Sequence, residues 1–395
     1  MKILSVNAGS SSLKFKAYEM PEEKVLASGT FERVGINNSF YTIKLNDGKI
    51  EKLVDLPNHK VAFEILVKEL LDLKVIESFD EIKGVGHRVV QGADHYDKSV
   101  LVTDEVIEDI KSLSSLAPLH NPAAILGINA ARNVIPNAKH VVVFDTAFHQ
   151  TMEPKKYLYP VPLDWYSSYH VRKYGAHGTS HKYITKYMEK LLGGNKKLII
   201  CHIGSGASIS AVKDGKVVDT SMGFTPNAGL MMGTRTGDID ASIIPYMMEN
   251  AELSSSDITT IINKSSGLLG IAGKSDMRDV RAGADEGDKE CRLALDMYVD
   301  RIVSYIARYY FELEGCEAIV FTAGVGENNN PTRREVLEKL KFLGVEIDLE
   351  MNEKIASFKE IKEGLITKES STIPVYVIPT DEEVMMARDV MEFLK

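Results

Sequence analysis

Cysteine is scarce in this sequence: Cys201, Cys291 and Cys316 are the only three in 395 residues. They are too few and too scattered for a disulfide framework, and a reducing compartment suits them better. Long apolar runs are missing as well. The opening stretch 3–6 is broken by Asn7, well short of a signal-peptide core, and no later stretch reaches the roughly 18 apolar residues of a membrane span. Nor is there a Lys/Arg block. The formal net charge of −9 argues against a nucleic-acid or anionic-membrane surface, while leaving room for a local basic pocket. What is present is an ordinary globular composition, 44% hydrophobic and 26% charged, in a chain long enough for two domains. The expectation is a soluble, cytoplasmic protein with neither membrane nor nucleic acid as a partner.

The chain repeats itself. Ile3-Leu4-Ser5-Val6 reads as a strand, residues 8–12 as a small-residue turn, and Leu13-Lys14-Phe15-Lys16-Ala17-Tyr18 alternates with period two as a returning strand. The same design recurs at Leu198-Ile199-Ile200-Cys201, Gly204-Ser205-Gly206-Ala207 and Ile209-Ser210-Ala211-Val212, followed by the hairpin signal Lys213-Asp214-Gly215-Lys216. A second echo pairs Val141-Val142-Val143-Phe144 with Ala318-Ile319-Val320-Phe321. Repeats this long indicate duplicated domains rather than a solenoid, each of α/β type. Helical periodicity marks 59–78, and further helices are expected over about 286–314 and 381–394. Another opens at Asn121, as N-cap, and Pro122, running to about Val134. With short hinges, the halves are expected to meet across a cleft, where ligand sites usually lie.

Several glycine- and serine-rich turns could present backbone N–H groups to phosphate: 7–12, 202–206, 229–237 and 324–328. The first, second and fourth follow expected buried strands, which makes a nucleotide cleft a better reading than plain turns. Two lookalikes fail. Residues 267–275 end in Gly-Lys-Ser, but the first glycine of a P-loop would fall on Leu268. Ser11-Ser12-Leu13-Lys14 has the S-x-x-K spacing but sits in strand alternation rather than at a helix start. His177 and His181 are four apart, yet the glutamate of a zinc helix is missing and Gly178 weakens the helix. A histidine donating to a phosphoryl group fits that turn better.

Among charged groups, Arg88 follows an apolar strand and Arg235 lies in a glycine-rich segment. Each could grip a carboxylate or phosphoryl group through two parallel bonds. Asp145 ends the 141–144 strand, where α/β proteins place catalytic or metal-binding groups. Glu382 and Glu383 open the last helix; a favourable charge at a helix N-terminus competes there with a magnesium site.

Taken together, Asn7-Ala8-Gly9-Ser10-Ser11-Ser12-Leu13-Lys14, His87-Arg88-Val89-Val90, Pro118-Leu119-His120-Asn121-Pro122, Phe144-Asp145-Thr146-Ala147-Phe148-His149 and Asp276-Met277-Arg278-Asp279 closely resemble the acetate kinase family. The segments 174–181, 231–240, 321–328 and 378–383 extend the likeness over essentially the whole chain. The resemblance implies two duplicated ribonuclease-H-like (actin-like ATPase) domains facing a central cleft, residues 1–147 plus about 384–395 forming one and 148–383 the other. It implies reversible phosphoryl transfer from ATP to acetate, giving acetyl phosphate and ADP, with Mg²⁺ or alternatively Mn²⁺, in a homodimer whose domains close during catalysis. Propionate or a broader set of short-chain carboxylates is the alternative acceptor.

The same resemblance implies roles. Asn7 and Glu382 look like metal-site residues, Lys14 like a nucleotide-phosphate contact, and Asp145, His177 and Arg235 like the catalytic set. Arg88, Val90, Leu119, His120, Ala176 and Pro226 match residues around the carboxylate. His202, Ile203, Gly204, Ser205 and Gly206, with Asp276, Met277 and Arg278, match the ATP cradle, which Gly324, Val325, Gly326, Glu327 and Asn328 complete. Four positions depart from the family pattern: Ser205 and Asp381 stand where asparagine is usual or common, Ala176 where phenylalanine is usual, and Ala241 where proline follows the aspartate. Ala176 leaves room for a longer acid, and Asp381 adds charge beside the metal carboxylate.

Overall fold

Alternation at the N-terminus produces the hairpin it predicts. β1 (Lys2–Gly9) and β2 (Ser12–Glu19) pair antiparallel with Gly9 opposite Ser12. The structure is a computed structural model that describes residues 1–118 and 120–395. Its contacts divide the chain into two units: 1–150 with 178–180 and 381–395, and 151–177 with 181–380.

In the first unit, β3 (Lys24–Glu32), β4 (Phe40–Leu45) and β5 (Gly48–Leu53) continue the antiparallel meander outward from β2. On the other side of β1 lie β6 (Ile82–Val89), then, after β7 (Val100–Leu101) in sequence, β8 (Lys139–Phe144), with β1, β6 and β8 mutually parallel. Among the described residues the sheet has eight strands in the order β5-β4-β3-β2-β1-β6-β8-β7. The C-terminal helix Glu382–Glu392 packs on β6 because that strand carries glycines. A Cβ on Gly84 would sit 2.3 Å from a Val390 methyl, and one on Gly86 would sit 3.1 Å from the other. That close approach brings the helix's first turn to the strand bearing Arg88.

The second unit repeats the scheme with β9 (Leu198–Ile203), β10 (Ala207–Lys213), β11 (Lys216–Thr220), β12 (Ala318–Thr322), β13 (Gly364–Leu365) and β14 (Val375–Val377), in the order β11-β10-β9-β12-β14-β13. Asp214 and Gly215 turn β10 into β11 with positive φ angles of 53° and 75°, the geometry of a two-residue hairpin. The core order β3-β2-β1-β6-β8 is matched by β11-β10-β9-β12-β14, with the same parallel and antiparallel pairings. The fold is thus a duplicated ribonuclease-H-like one.

One correction follows. In sequence 141–144 echoes 318–321, but β12 lies beside β9 as β6 lies beside β1, so the positional equivalents are β6 with β12 and β8 with β14. Both strands are covered on both faces, and an all-apolar run does not reveal which buried slot it fills.

Helices arise where periodicity placed them, with shifted ends. The first, His59–Asp72, is capped by the Asn58 side chain and stops short of 78. The long helix Lys289–Glu312 starts at the Asp288 cap. Asn121 is not the N-cap of Asn121–Val134; His120 is. Its buried amide instead accepts from Gln91 N–H and donates to the carbonyls of Gln91 and Ile110, so a residue with capping chemistry serves as an internal crosslink. Among the described residues no helix is long and apolar enough to cross a membrane.

Candidate active site

In the first unit, the ends of the parallel strands carry charge. Arg88, near the end of β6, meets Asp145, the residue after β8, through both arms of its guanidinium: Nε to Oδ1 at 3.2 Å and Nη2 to Oδ2 at 2.5 Å. The Asp145 side chain is 1% exposed. Its backbone N–H donates to Val89 carbonyl, and Thr179 Oγ1 donates to Oδ1 at 3.3 Å. Gly178 lies so close that a Cβ there would be 2.0 Å from the Asp145 carbonyl oxygen, which its own N–H meets at 2.9 Å. Burial works against the Arg88 charge, but Asp145 and Glu382 outweigh it and raise its pKa.

Glu382 opens the C-terminal helix beside this pair. Burial lifts its carboxyl above the usual range; Arg88 pulls it down while Asp145, Glu383 and Asp381 push it further up. Asp381 is explained by its neighbours. It caps the helix by accepting from Val384 N–H at 2.9 Å, and it also accepts from Lys16 Nζ at 3.0 Å and Tyr18 Oη at 3.1 Å. Its extra charge is therefore matched by Lys16, which also reaches Glu383 at 3.4 Å. Ser5 Oγ donates to the Glu383 carbonyl at 2.6 Å, fixing the helix start against β1. A cavity of about 170 Å³ is lined by Asn7, Lys14, Arg88, Val90 and His120, with Gly9 and Ser12 of the β1–β2 turn.

In the second unit, histidines and glycines replace these charges. His177 has a left-handed backbone, φ 61°, and caps the helix Gly178–Leu192. Its Nδ1 and the Nε2 of His181 both bond Ser208 Oγ at 2.8 Å, and its ring stacks on His202 at a centroid distance of 4.0 Å. The zinc-like spacing thus brackets a serine hydroxyl. Arg235 Nη1 donates to the Pro226 carbonyl at 3.2 Å and contacts Met232 Sδ at 3.7 Å; burial lowers its pKa. A Cβ on Gly206 would lie 3.3 Å from Arg235 Nη1 and 3.6 Å from His177 Nε2, so the three expected neighbours do converge.

The expected phosphate turns also meet. β9 and β12 run parallel with His202 beside Thr322, which brings the turn 202–206 next to the short helix Ala323–Asn328. Gly233 N–H donates to Ser205 carbonyl at 3.1 Å, and a Cβ on Gly233 would touch Ser275 carbonyl at the same distance. Asp276 caps Met277–Asp285 and holds Arg278 through Nε and Nη2 at 2.9 and 2.6 Å. Glu327 turns inward: Oε1 accepts from Ala323 N–H at 2.8 Å and Thr380 N–H at 3.2 Å, and burial raises its pKa.

Other expectations fall differently. Leu119 lies outside the described residues. Ala176 is 5% exposed and belongs to the buried apolar cluster of the second unit. The P-loop lookalike is the helix Gly267–Ala272 ended by Gly273 in a left-handed C-cap, and Ser12 to Lys14 of the S-x-x-K run lie on β2. Sequence reading missed Ser208, Thr179 and Lys16. Ser208 and Lys16 do sit on alternating strands at positions that their register assigns to one face, a signal usable only once a partner is known.

Comparison with known proteins agrees with this geometry. The profile of the acetokinase family matches residues 2–388. "Acetate kinase 1" of Lactococcus lactis subsp. lactis (strain IL1403) is 52% identical over 395 residues, covering 98% of each chain. The crystal structure of Porphyromonas gingivalis acetate kinase is 42% identical with a TM-score of 0.94 over 100% of both chains. That of a propionate kinase from Francisella tularensis subsp. tularensis SCHU S4 is 40% identical with a TM-score of 0.92 over 98% of both. The chain belongs to the acetokinase family.

Proposed function

We propose that this chain is an acetate kinase, transferring a phosphoryl group reversibly between ATP and acetate. The observation that carries the assignment is full-length similarity to acetate kinases at about half identity, joined to two arginines held in unlike settings. A carboxylate is already ionised near neutral pH, so it needs no general base. The task is to hold two anions in line while charge spreads over the phosphoryl oxygens, and positioning plus fixed positive charge accomplish most of it.

Within this reading Arg88, oriented by Asp145, binds the carboxylate beside Val90 and His120 in the first-unit cavity. Arg235 and His177 donate to the phosphoryl oxygens. The turn 202–206, residues 276–278 and the helix Ala323–Asn328 hold the nucleotide, and Lys14 contacts its phosphates. The proposed domains, residues 1–147 with 384–395 and 148–383, differ from the two contact units only at 148–150, 178–180 and 381–383, which join the first unit.

The carboxylates suit a hard divalent cation. Asp145, Asp381, Glu382 and Glu383 share only Arg88 and Lys16 as cationic neighbours in the shifts and ion pairs above, and Glu382 is the anion left least compensated. Asn7 and Glu382 would hold the ion. When bound, Mg²⁺, or Mn²⁺ in its place, neutralises phosphate charge. Asp381 is engaged by Lys16 and Tyr18, so it need not enter the ligand set. A homodimer is supported by exposed apolar side chains of the second unit, among them Leu163 and Tyr169 at 68% and Tyr246 at 62% exposure.

Propionate as acceptor is the second reading, favoured by the likeness to a propionate kinase structure. One experiment tests both. The protein is incubated with ATP, Mg²⁺ and acetate, propionate or butyrate, and acyl phosphate is trapped with hydroxylamine. Acetate is expected to give the highest kcat/KM, with propionate within about 10³ of it. Acyl phosphate from none of the acids would overturn the assignment.

A further inference from the structure

Among the described residues Arg333 is the largest fully buried side chain, at 0% exposure, and its guanidinium has no carboxylate partner there. All five of its N–H donors are nonetheless used. Nε donates to Asn352 Oδ1 at 2.8 Å; Nη1 donates to the carbonyls of Gly326 and Glu327 at 2.9 and 2.7 Å; Nη2 donates to the carbonyls of Asn352 and Ile355 at 2.7 and 3.0 Å. Burial lowers its pKa to about 10, which still leaves it charged near neutrality.

A buried cation that serves packing alone is ordinarily paired with an acid or replaced by an apolar side chain. Here the charge is spent on four backbone carbonyls and one side-chain amide oxygen, and two of the carbonyls belong to the last turn of the helix Ala323–Asn328, where carbonyls lack helical partners and the dipole favours a cation. That helix is under tension at its other end, since Ala323 has φ 66° without being glycine. Its back is held a second time: Ser357 N–H and Oγ donate to Asn328 Oδ1 at 2.9 and 2.7 Å, while Asn328 Nδ2 donates to the Gly324 carbonyl at 2.9 Å. The opposite side is open, for a Cβ built on Gly324 meets nothing within 4 Å.

We propose that Arg333 is a positioning residue for the nucleotide: by clamping the carbonyls of Gly326 and Glu327 to the segment 352–355, it holds the 323–328 turn in the shape that receives ATP. This rests on the reading of 324–328 as part of the nucleotide cradle. Arg333 touches no ligand itself; it acts through the backbone. Lysine is no substitute, because three donors on a flexible stem do not reproduce a planar fork of five.

The test separates KM for ATP from KM for acetate in Arg333→Lys, Asn352→Ala and Gly324→Phe, with thermal melts on each. Arg333→Lys is expected to raise KM for ATP about 10-fold or more, and Asn352→Ala, which removes one Arg333 partner from the far side, at least about 3-fold, with KM for acetate within about 2-fold in both. ADP affinity by calorimetry should fall in parallel. Should Arg333→Lys fail to fold, Asn352→Ala carries the test. A lowered melting temperature with unchanged KM for ATP and unchanged ADP affinity in the folded variants would overturn the proposal, leaving Arg333 a packing residue. Gly324→Phe tells the two failures apart. If it raises KM for ATP while the other variants do not, the cradle reading stands and the role of Arg333 falls; if it too leaves ATP unaffected, the cradle reading itself is wrong.

Discussion

Arg88 in the first unit is tied by both arms to Asp145, whereas Arg235 in the second donates to the Pro226 carbonyl and the Met232 sulfur and, among the described residues, to no carboxylate. The sequence presents them alike, each near a turn or a strand end. Folding gives them opposite electrostatic lives. The Arg88 charge is matched inside the protein and its geometry is fixed, which suits a group that orients a ground-state carboxylate. The Arg235 charge is desolvated with no carboxylate beside it among the described residues, which suits an oxyanion whose charge grows during reaction. The contrast extends to the parallel strand ends: those of β6 and β8 lead into the Arg88–Asp145 ion pair, whereas those of β9 and β12 lead into glycine-bearing turns beside His202.

The sharpest way to break this contrast is to remove each arginine. Arg235→Ala is expected to lower kcat by at least about 10² with KM for ATP little changed and the melting temperature held. Arg88→Ala should raise KM for acetate and also destabilise the first unit, by about 3 kcal/mol, because Asp145 is then buried without its partner. Steady-state kinetics and denaturant melts on both variants decide the matter. Equal stability losses, or near-normal turnover in Arg235→Ala, would erase the distinction.

Gly178 probes how tightly Asp145 is held. A methyl there would stand 2.0 Å from the Asp145 carbonyl, so the backbone must shift, an overpacking cost of about 1–3 kcal/mol. Gly178→Ala should therefore lower kcat about 10-fold or more while the second unit's nucleotide affinity is retained. Full activity would show that Asp145 tolerates displacement.

A smaller effect is expected at Asp381. Asp381→Asn keeps the helix cap, since asparagine caps as well as aspartate, but leaves Lys16 only Glu383 at 3.4 Å. The loss should be about 0.5–1 kcal/mol, and Lys16→Met should cost more than Asp381→Asn because Asp145, Asp381, Glu382 and Glu383 are then left with Arg88 as their cation. The reverse ranking in urea melts would mean that the pair is incidental.

Much of this was legible beforehand, for identifiable reasons. The hairpins at 2–19 and 198–213 were readable because half-buried strands alternate and tight turns demand glycine or aspartate. Arg88, Asp145 and Glu382 were readable as candidates because strand ends and helix starts are where such groups act. The slot of a buried strand was not readable, since Val141-Val142-Val143 and Ile319-Val320-Phe321 look alike from any position in a parallel sheet. Arg333 was invisible because its five acceptor atoms lie six to twenty-two residues away and four of them are backbone carbonyls, which every residue has. Asn121 misled for the complementary reason: its chemistry fits a cap, and only the approach of Gln91 and Ile110 decides that it crosslinks instead.

Acid reaches the first unit through a buried histidine pair. His140 Nε2 must donate to the Ile135 carbonyl at 3.1 Å, because a carbonyl can only accept; neutral His140 therefore accepts at Nδ1 from His87 Nε2 at 3.0 Å. Both rings are buried. Burial lowers the pKa of each, and the shift is reinforced by His140 at His87 and by Arg132 at His140. A histidine whose folded pKa is depressed binds fewer protons folded than unfolded, so stability is fully present above the ordinary value near 6.5 and is lost as pH falls below it. The first unit should thus soften between pH 7 and pH 5.5, on the order of 3 °C in melting temperature. His140→Gln keeps an acceptor for His87 and a donor for Ile135 and should flatten that slope. Hydrogen exchange can locate the loss: protection of β6 and β8 should fall with pH in the unmodified protein and hold in His140→Gln, and an equal fall in both would place the acid sensitivity elsewhere.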